Sequence, residues 1–241
     1  MGLYATLFEG YSEKQWEDSV ALFQERHKRW GIDTAWFKGK KCLDAGCGGG
    51  RYVEALKRLG ADVSGIDVDT DACDIARKRT GCNIVNASVL AIPFPDATFD
   101  YVVSTGVIHH TESPERALQE ITRVLKPGGR LFLAVYGRYG IRWWIRFLAW
   151  RYTVAKVIPF NAMYRLFALF GVPANKRYAI LDNWYIPYIH RFTEKQMRVM
   201  FAKNGYKNVR RIPYDTYDYR LLRNRIYYGA GWQQFYAEKE A

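Results

Sequence analysis

Lys41-Cys42-Leu43-Asp44-Ala45-Gly46-Cys47-Gly48-Gly49-Gly50-Arg51 is the stretch on which the fold turns, read together with Val63-Ser64-Gly65-Ile66-Asp67-Val68 further on. A short apolar run, a cluster of glycines and then Val53, Leu56 and Leu59 at helical spacing predict a buried strand, a tight turn and a helix. Such a turn lets backbone N–H groups approach a ligand closely, and a carboxylate at the end of the next strand can accept two hydrogen bonds from a ribose diol. The pattern predicts a nucleoside-cofactor site on an α/β sheet.

The glycine spacing narrows the cofactor. Dinucleotide sites use Gly-x-Gly-x-x-Gly, with the helix N-terminus facing a pyrophosphate. Here the glycines stand at 46, 48 and 50, and Asp44 lies two residues ahead of the first. A carboxylate there repels a pyrophosphate but accepts from an ammonium, which suits the amino-acid end of S-adenosylmethionine. A nicotinamide-dependent dehydrogenase is correspondingly disfavoured.

At these residues the chain resembles the class I S-adenosylmethionine-dependent methyltransferases, in particular the subgroup that includes ubiquinone- and menaquinone-biosynthesis methyltransferases. The resemblance is strong from Gly39 to Tyr136, where four blocks match in the expected order, and holds only in outline beyond. It implies a Rossmann-like seven-stranded sheet, mostly parallel with the last strand antiparallel, helices on both faces and a helical lid inserted after strand five. It implies S-adenosylmethionine as cofactor and S-adenosylhomocysteine as product. Asp44, Gly46, Cys47 and Gly48 would hold the methionine end, Asp67 and Val68 the ribose side, and Ser88 and Val89 the adenine, with Thr105 closing the site. Ser88 stands where the family usually has an aspartate that accepts from the adenine amino group, so this chain has a weaker acceptor there.

Residues 1–38 hold Ser12-Glu13-Lys14-Gln15, a capping box opening a helix with Trp16, Val20 and Phe23 on one face. The resemblance implies that this helix covers the cofactor, with Tyr11 against the methionine end; a packed aromatic at a helix start is the plainer alternative. The remaining strands are expected at Lys40–Ala45, Ala61–Asp67, Cys82–Ala87, Phe99–Thr105, Arg130–Tyr136, Tyr206–Ile212 and Gln233–Ala237. Helices are expected at Arg51–Leu59, Asp71–Thr80, from Ser113-Pro114-Glu115 to Leu125, and after the second capping box, Thr193-Glu194-Lys195-Gln196.

His109 and His110 follow strand four at its carboxyl edge, where open sheets bind ligands. An imidazole with an unperturbed pKa near 6.5 suits proton abstraction at neutral pH, although in the resembled family the pair often only orients the turn. His190 and Arg191 precede the last helix and either face the acceptor or pack.

From Ile121 to Leu181 the chain has no Asp or Glu but eleven Lys or Arg and thirteen aromatics. Ile141–Val157 scans as a helix with Arg142, Arg146 and Lys156 on one face and Trp143 and Trp144 among the aromatics on the rest, followed by a helix at Asn161–Phe170. A lid over residues 138–192, with Trp143 and Trp144 touching the acceptor, is the leading reading. A membrane-surface contact added to the lid ranks second, and a nucleic-acid surface last, because apolar residues dilute the cations.

Composition bounds the rest. The 241 residues, 49% hydrophobic, suffice for one domain with a large core. No run reaches the length of a membrane span and no signal peptide is visible, so a cytoplasmic protein is expected, with peripheral contact at the inner membrane face as an option. Cys42, Cys47, Cys73 and Cys82 lack metal-binding spacing and read as structural. The +12 charge favours anionic partners. An enzyme methylating a small apolar or aromatic, anionic acceptor on oxygen, nitrogen or carbon is therefore expected. The rivals are a protein that binds the cofactor without turnover while docking to a membrane or partner, and an RNA methyltransferase.

Overall fold

The computed structural model describes residues 12–138, 140–141, 150–172, 177, 180–181, 184–213, 221–223, 226 and 231–241. Tyr11, Trp143 and Trp144 lie outside them, as do residues 142–149 of the helix read over 141–157.

Strands and crossover helices alternate from the glycine turn onward. After α1 (Glu13–Arg29), β1 (Lys41–Ala45) leads to α2 (Arg51–Arg58), β2 (Asp62–Asp67) to α3 (Thr70–Thr80), and β3 (Asn83–Asn86) completes one half. β4 (Phe99–Thr105), α4 (Pro114–Val124) and β5 (Leu125–Tyr136) begin the other, followed by α5 (Phe160–Leu169), α6 (Glu194–Lys203), β6 (Tyr206–Ile212) and β7 (Trp232–Lys239). The seven strands lie in the order β3-β2-β1-β4-β5-β7-β6. β1 to β5 run parallel, while β7 is antiparallel to both its neighbours. The strand order reverses between β1 and β4, which puts a crevice at their carboxyl ends.

Two-residue alternation divides the core. Leu43, Val102, Leu131 and Leu133 pack with α4 and α6 on one face, while Cys42, Tyr101, Val103 and Phe132 pack with α1, α2 and α3 on the other. Both capping boxes form, at Ser12 and Gln15 and at Thr193 and Gln196, and Pro114 opens α4 behind its Ser113 cap. One boundary differs from expectation: β5 starts at Leu125, which pairs with Phe99 before the Gly128-Gly129 segment shifts the register. The chain passes from helix to strand without an intervening loop, because the bulge absorbs the turn.

The face behind β1 is organised around a buried histidine. His27 donates from Nδ1 to the Phe23 carbonyl (3.0 Å), so its Nε2 accepts from the Tyr101 hydroxyl (3.1 Å). Rings of Phe23, Trp30, Phe37 and Phe132 enclose it, and burial holds its pKa down at about 4. The unfolded chain therefore takes up a proton near pH 6.5 that the folded chain refuses until about pH 4. Stability is present above the unfolded value and is lost as pH falls, by up to about 3 kcal/mol. Urea midpoints at pH 7 and pH 4.5 should fall further apart for the wild type than for His27→Gln; equal falls would remove His27 as the cause.

The insert leaves and rejoins the sheet at one point. Gly137 bridges Phe192, Phe192 N–H donates to Tyr136 O (3.0 Å) and Arg138 N–H to Phe192 O (2.9 Å). Within it Met163, Leu181 and Trp184 form a separate small core. The regular helix expected up to Val157 is corrected: Trp150–Val154 winds as a π-turn before a short α-turn at Ala155–Val157. A wider turn rotates the residues beyond it, so Lys156 does not continue a regular basic stripe.

Candidate functional site

The crevice is built by the glycine turn. Gly46 has φ +98°, a conformation side chains resist, and a Cβ added there would run into Val107 at the start of the histidine turn. The turn is clamped onto β2: the amides of Gly46 and Cys47 both donate to Ile66 O (2.8 and 2.9 Å), and that of Gly48 to Asp67 Oδ2 (2.8 Å). This corrects the expectation that these amides serve a ligand. Their hydrogens are engaged by β2, and what the glycines offer instead is close approach of bare backbone. Gly65 plays the same part beneath, where any Cβ would crowd Ile84 and Cys47.

Asp44 and Asp67 meet at this turn in different surroundings. Asp44 is enclosed, 1% exposed, and neither carboxylate oxygen has a hydrogen-bond partner among the described residues. Burial, with Asp67 adding to it and Arg51 opposing, pushes its pKa up to about 8. Asp67 accepts from Gly48 N–H on one oxygen and from Asp69 N–H (3.0 Å) on the other. Burial raises its pKa, and those amide bonds work against the rise. Each oxygen keeps a second lone pair.

The adenine side is less built. Ser88 Oγ accepts from Leu90 N–H (3.1 Å) within its own loop. Val89 is buried, while Val68 projects, 66% exposed, beside Asp67.

Beyond β4 the chain brings together residues some eighty apart in sequence. His109 packs against His110 and Tyr136, each ring 4.2 Å away and tilted, with Trp232 edge-on. The backbone amide of His190 donates to His109 O (2.8 Å), and the Arg191 guanidinium lies 5.0 Å from the Tyr136 ring. His109 is fully buried and neither ring nitrogen has a partner among the described residues. Burial, helped by the cationic neighbours, holds its pKa well below the usual imidazole range. His110 bonds through Nδ1 to the Tyr188 carbonyl (3.1 Å). A carbonyl only accepts, so Nδ1 carries the proton and the lone pair of the neutral ring is on Nε2.

A cavity of about 290 Å³ adjoins this cluster, under α1 rather than under the insert. Ser19, Leu22, Phe23, Arg26 and Trp30 form one wall, Arg51 and Tyr52 the floor nearest the glycine turn, and Thr105, Phe132, Trp232 and Gln234 the sheet side. Among the described residues expected to bind cofactor, Thr105 is the one that lines it. Ser19, Leu22, Phe23 and Arg26 follow one stripe of α1, and Trp30 is its C-cap. What sequence reading missed was that this stripe continues around from Trp16 and Val20 to face Thr105 and Gln234.

Glycine turn, the carboxylate that ends β2 and the strand-order reversal place a crevice at the switch point of an open α/β sheet. Residues 43–133 match the family described as a methyltransferase domain. A ubiquinone biosynthesis O-methyltransferase from Thiobacillus denitrificans is 34% identical over 137 residues, which are 52% of this chain and 59% of that protein. A Mus musculus protein named "Probable tRNA methyltransferase 9B" is 40% identical over 104 residues, 41% of this chain and 22% of its own. The chain thus spans little more than half of the first relative and a smaller share of the second. In shape it superposes on a Burkholderia thailandensis 1,6-didemethyltoxoflavin-N1-methyltransferase structure with bound S-adenosylhomocysteine, with a TM-score of 0.54, 16% identity, and coverage of 94% of this chain and 78% of that one. Over residues 43–133 the chain is thus similar to the methyltransferase-domain family, and its fold is that of a methyltransferase structure holding S-adenosylhomocysteine.

Proposed function

We propose that the protein transfers a methyl group from S-adenosylmethionine to a small apolar or aromatic acceptor bearing negative charge. The observation that carries the reading is Asp44: a buried carboxylate, with no partner among the described residues, set behind a bare-backbone turn whose other side is Asp67. Leaving such a group unpaired costs free energy, and an ammonium removes that cost. The residues fit the cofactor: Asp44 would take its ammonium, Gly46, Cys47 and Gly48 its methionine chain, Asp67 and Val68 its ribose side, and Ser88 and Val89 its adenine. Because Asp44 is closed off from solvent, arrival of the ligand displaces the groups that stand over it.

The bound cofactor supplies the electrophilic methyl group. The chain's residues hold the acceptor in line with it and keep water out. Of the two histidines, His110 is the better proton acceptor, since its Nδ1–H is fixed on Tyr188 and its basic lone pair lies on Nε2, whereas burial makes His109 a poor base. His109 then serves as the packing centre that ties His110, Tyr136, His190 and Arg191 together. Tyr11, Trp143 and Trp144 remain proposed contacts outside the described residues.

No helix among the described residues is long and apolar enough to cross a membrane. Exposed Val157, Leu169 and Phe170, within the stretch 121–181 that has no Asp or Glu, nonetheless support contact with an anionic lipid surface. Methyl-labelled cofactor incubated with the protein and a fractionated cell extract separates the readings. Label should enter small molecules, soluble or lipid-borne. Label confined to RNA would favour the tRNA-type relative's chemistry, and cofactor binding with no transfer anywhere would mark a non-catalytic binder.

A further inference from the structure

The loop that carries Ser88 and Val89 is held by one face of α4. Between β3 and β4 the chain runs through residues 87–98 without helix or strand, so its backbone polar groups find their partners elsewhere. Arg116, Glu120 and Arg123 supply them, at the i, i+4, i+7 spacing that aligns side chains along a helix. Arg116 Nε donates to Leu90 O (3.1 Å), Ile92 N–H donates to Glu120 Oε2 (2.9 Å), and the Arg123 guanidinium donates to Ile92 O (2.8 Å) and Phe94 O (2.9 Å). Arg123 also grips Glu120 through two nitrogens (2.9 and 2.8 Å) and Asp96 through one (2.8 Å). These bonds are charge-assisted, the stronger kind. The loop is tied to the crevice through a turn: Ser88 O accepts from Ala91 N–H (3.1 Å) and Ser88 Oγ from Leu90 N–H (3.1 Å), while Ala87 N–H donates to Asp67 O (2.9 Å) at the end of β2. Between those anchors the Val89 amide has no acceptor among the described residues, although the Val89 side chain is buried.

We propose that Glu120 and Arg123 are positioning residues for base recognition, fixing the loop so that the Val89 N–H meets the N1 edge of the cofactor's purine. The proposal rests on the methyltransferase reading for its ligand and on the α4 bonds for its mechanism. Adenine presents a bare acceptor at N1, whereas hypoxanthine carries a hydrogen there. Ser88 does not make the distinction, because a hydroxyl both donates and accepts and so serves an exocyclic amino group or carbonyl alike. A backbone amide only donates, so the choice falls on Val89. A donor discriminates in this way when it is held in place, and α4 has ordered the loop before the ligand arrives.

The probes are S-adenosylhomocysteine and its deaminated analogue S-inosylhomocysteine, titrated by calorimetry, with amide hydrogen exchange of the ligand-free protein as a second readout. The wild type should bind the adenosyl form more tightly by roughly tenfold or more. Glu120→Leu should weaken the adenosyl form about tenfold and change the inosyl form less than about twofold. It should also speed exchange at the Ile92 amide while the amides of β4 keep their rates. Glu120→Gln keeps an acceptor oxygen for Ile92 and should recover much of the preference, whereas a purely structural role would move both ligands equally. Arg123→Lys keeps the charge but not the fork, and should also lower the preference. Equal binding of the two ligands by the wild type overturns the proposal whether or not the variants fold, and an unchanged preference in Arg123→Lys overturns it even where Glu120→Leu fails to fold. Failure of the wild type to bind S-adenosylhomocysteine, with Ile92 exchange still dependent on Glu120, removes the cofactor reading and base recognition with it. Normal cofactor binding with Ile92 exchange indifferent to Glu120 overturns the positioning role alone.

Discussion

Asp44→Asn should weaken S-adenosylmethionine binding by roughly 10²–10³-fold while making the ligand-free protein more stable at neutral and alkaline pH. The loss follows from removing one partner of a buried charge pair, an effect of about 2–5 kcal/mol. The gain follows from the sign of the shift at this position. In the folded ligand-free chain the Asp44 carboxyl titrates near 8, against an ordinary value of 3.8. A folded pKa raised above the unfolded one gives stability that is complete at low pH and is lost as pH rises from about 4 through 8, at about 1.4 kcal/mol per unit. The asparagine variant does not titrate and escapes that loss, so its thermal midpoint should overtake the wild type's as pH rises.

The same geometry gives a calorimetric signature. At pH 7 most Asp44 is protonated, and it must ionise to pair with an ammonium, so cofactor binding should release close to one proton. Enthalpies measured in buffers of different ionisation heat report that number directly, and it should vanish in Asp44→Asn. Tight binding by the variant with unchanged proton release would detach the cofactor from Asp44 altogether.

Gly46→Ala is the second large effect. Two penalties coincide there, a φ of +98° and a Cβ driven into the Val107 side chain. Backbone strain costs about 1–3 kcal/mol and overpacking a similar amount, together a large fraction of an ordinary domain's stability. Val107 cannot yield freely, because the turn it opens positions His109 and His110. The variant should therefore lose both stability in urea and cofactor binding. Gly39→Ala is the matched control: it has φ +72° but open space around the added atom, so it should cost only the strain. Equal behaviour of the two would show that contact with Val107 is immaterial.

Local patterns carried much of this protein. The 46, 48, 50 glycine spacing, Asp44 before it and Asp67 after it specify a strand, turn and helix whatever lies around them, because glycine tolerates those torsions and a central strand, covered on both faces, reads as a short continuous apolar run. The capping boxes at Ser12 and Thr193 and the proline at 114 are equally local, since their hydrogen bonds close within four residues. For the same reason the boundaries of β4 fell where its apolar run ends.

Tertiary structure decided what no neighbour in sequence can. That Gly46, Cys47 and Gly48 give their amides to β2 depends on how the turn is clamped across the sheet, and residue spacing is blind to it. That His190 and Arg191 close on the histidine turn depends on an insert whose two ends meet at Gly137 and Phe192. The cavity is the clearest case: Arg26 on α1 and Trp30 at its C-cap share it with Gln234 on β7 only because an antiparallel last strand slots between β5 and β6. Sequence determines which side chains an element presents, whereas the packing of distant elements determines which of them share a space, and a ligand recognises the shared space.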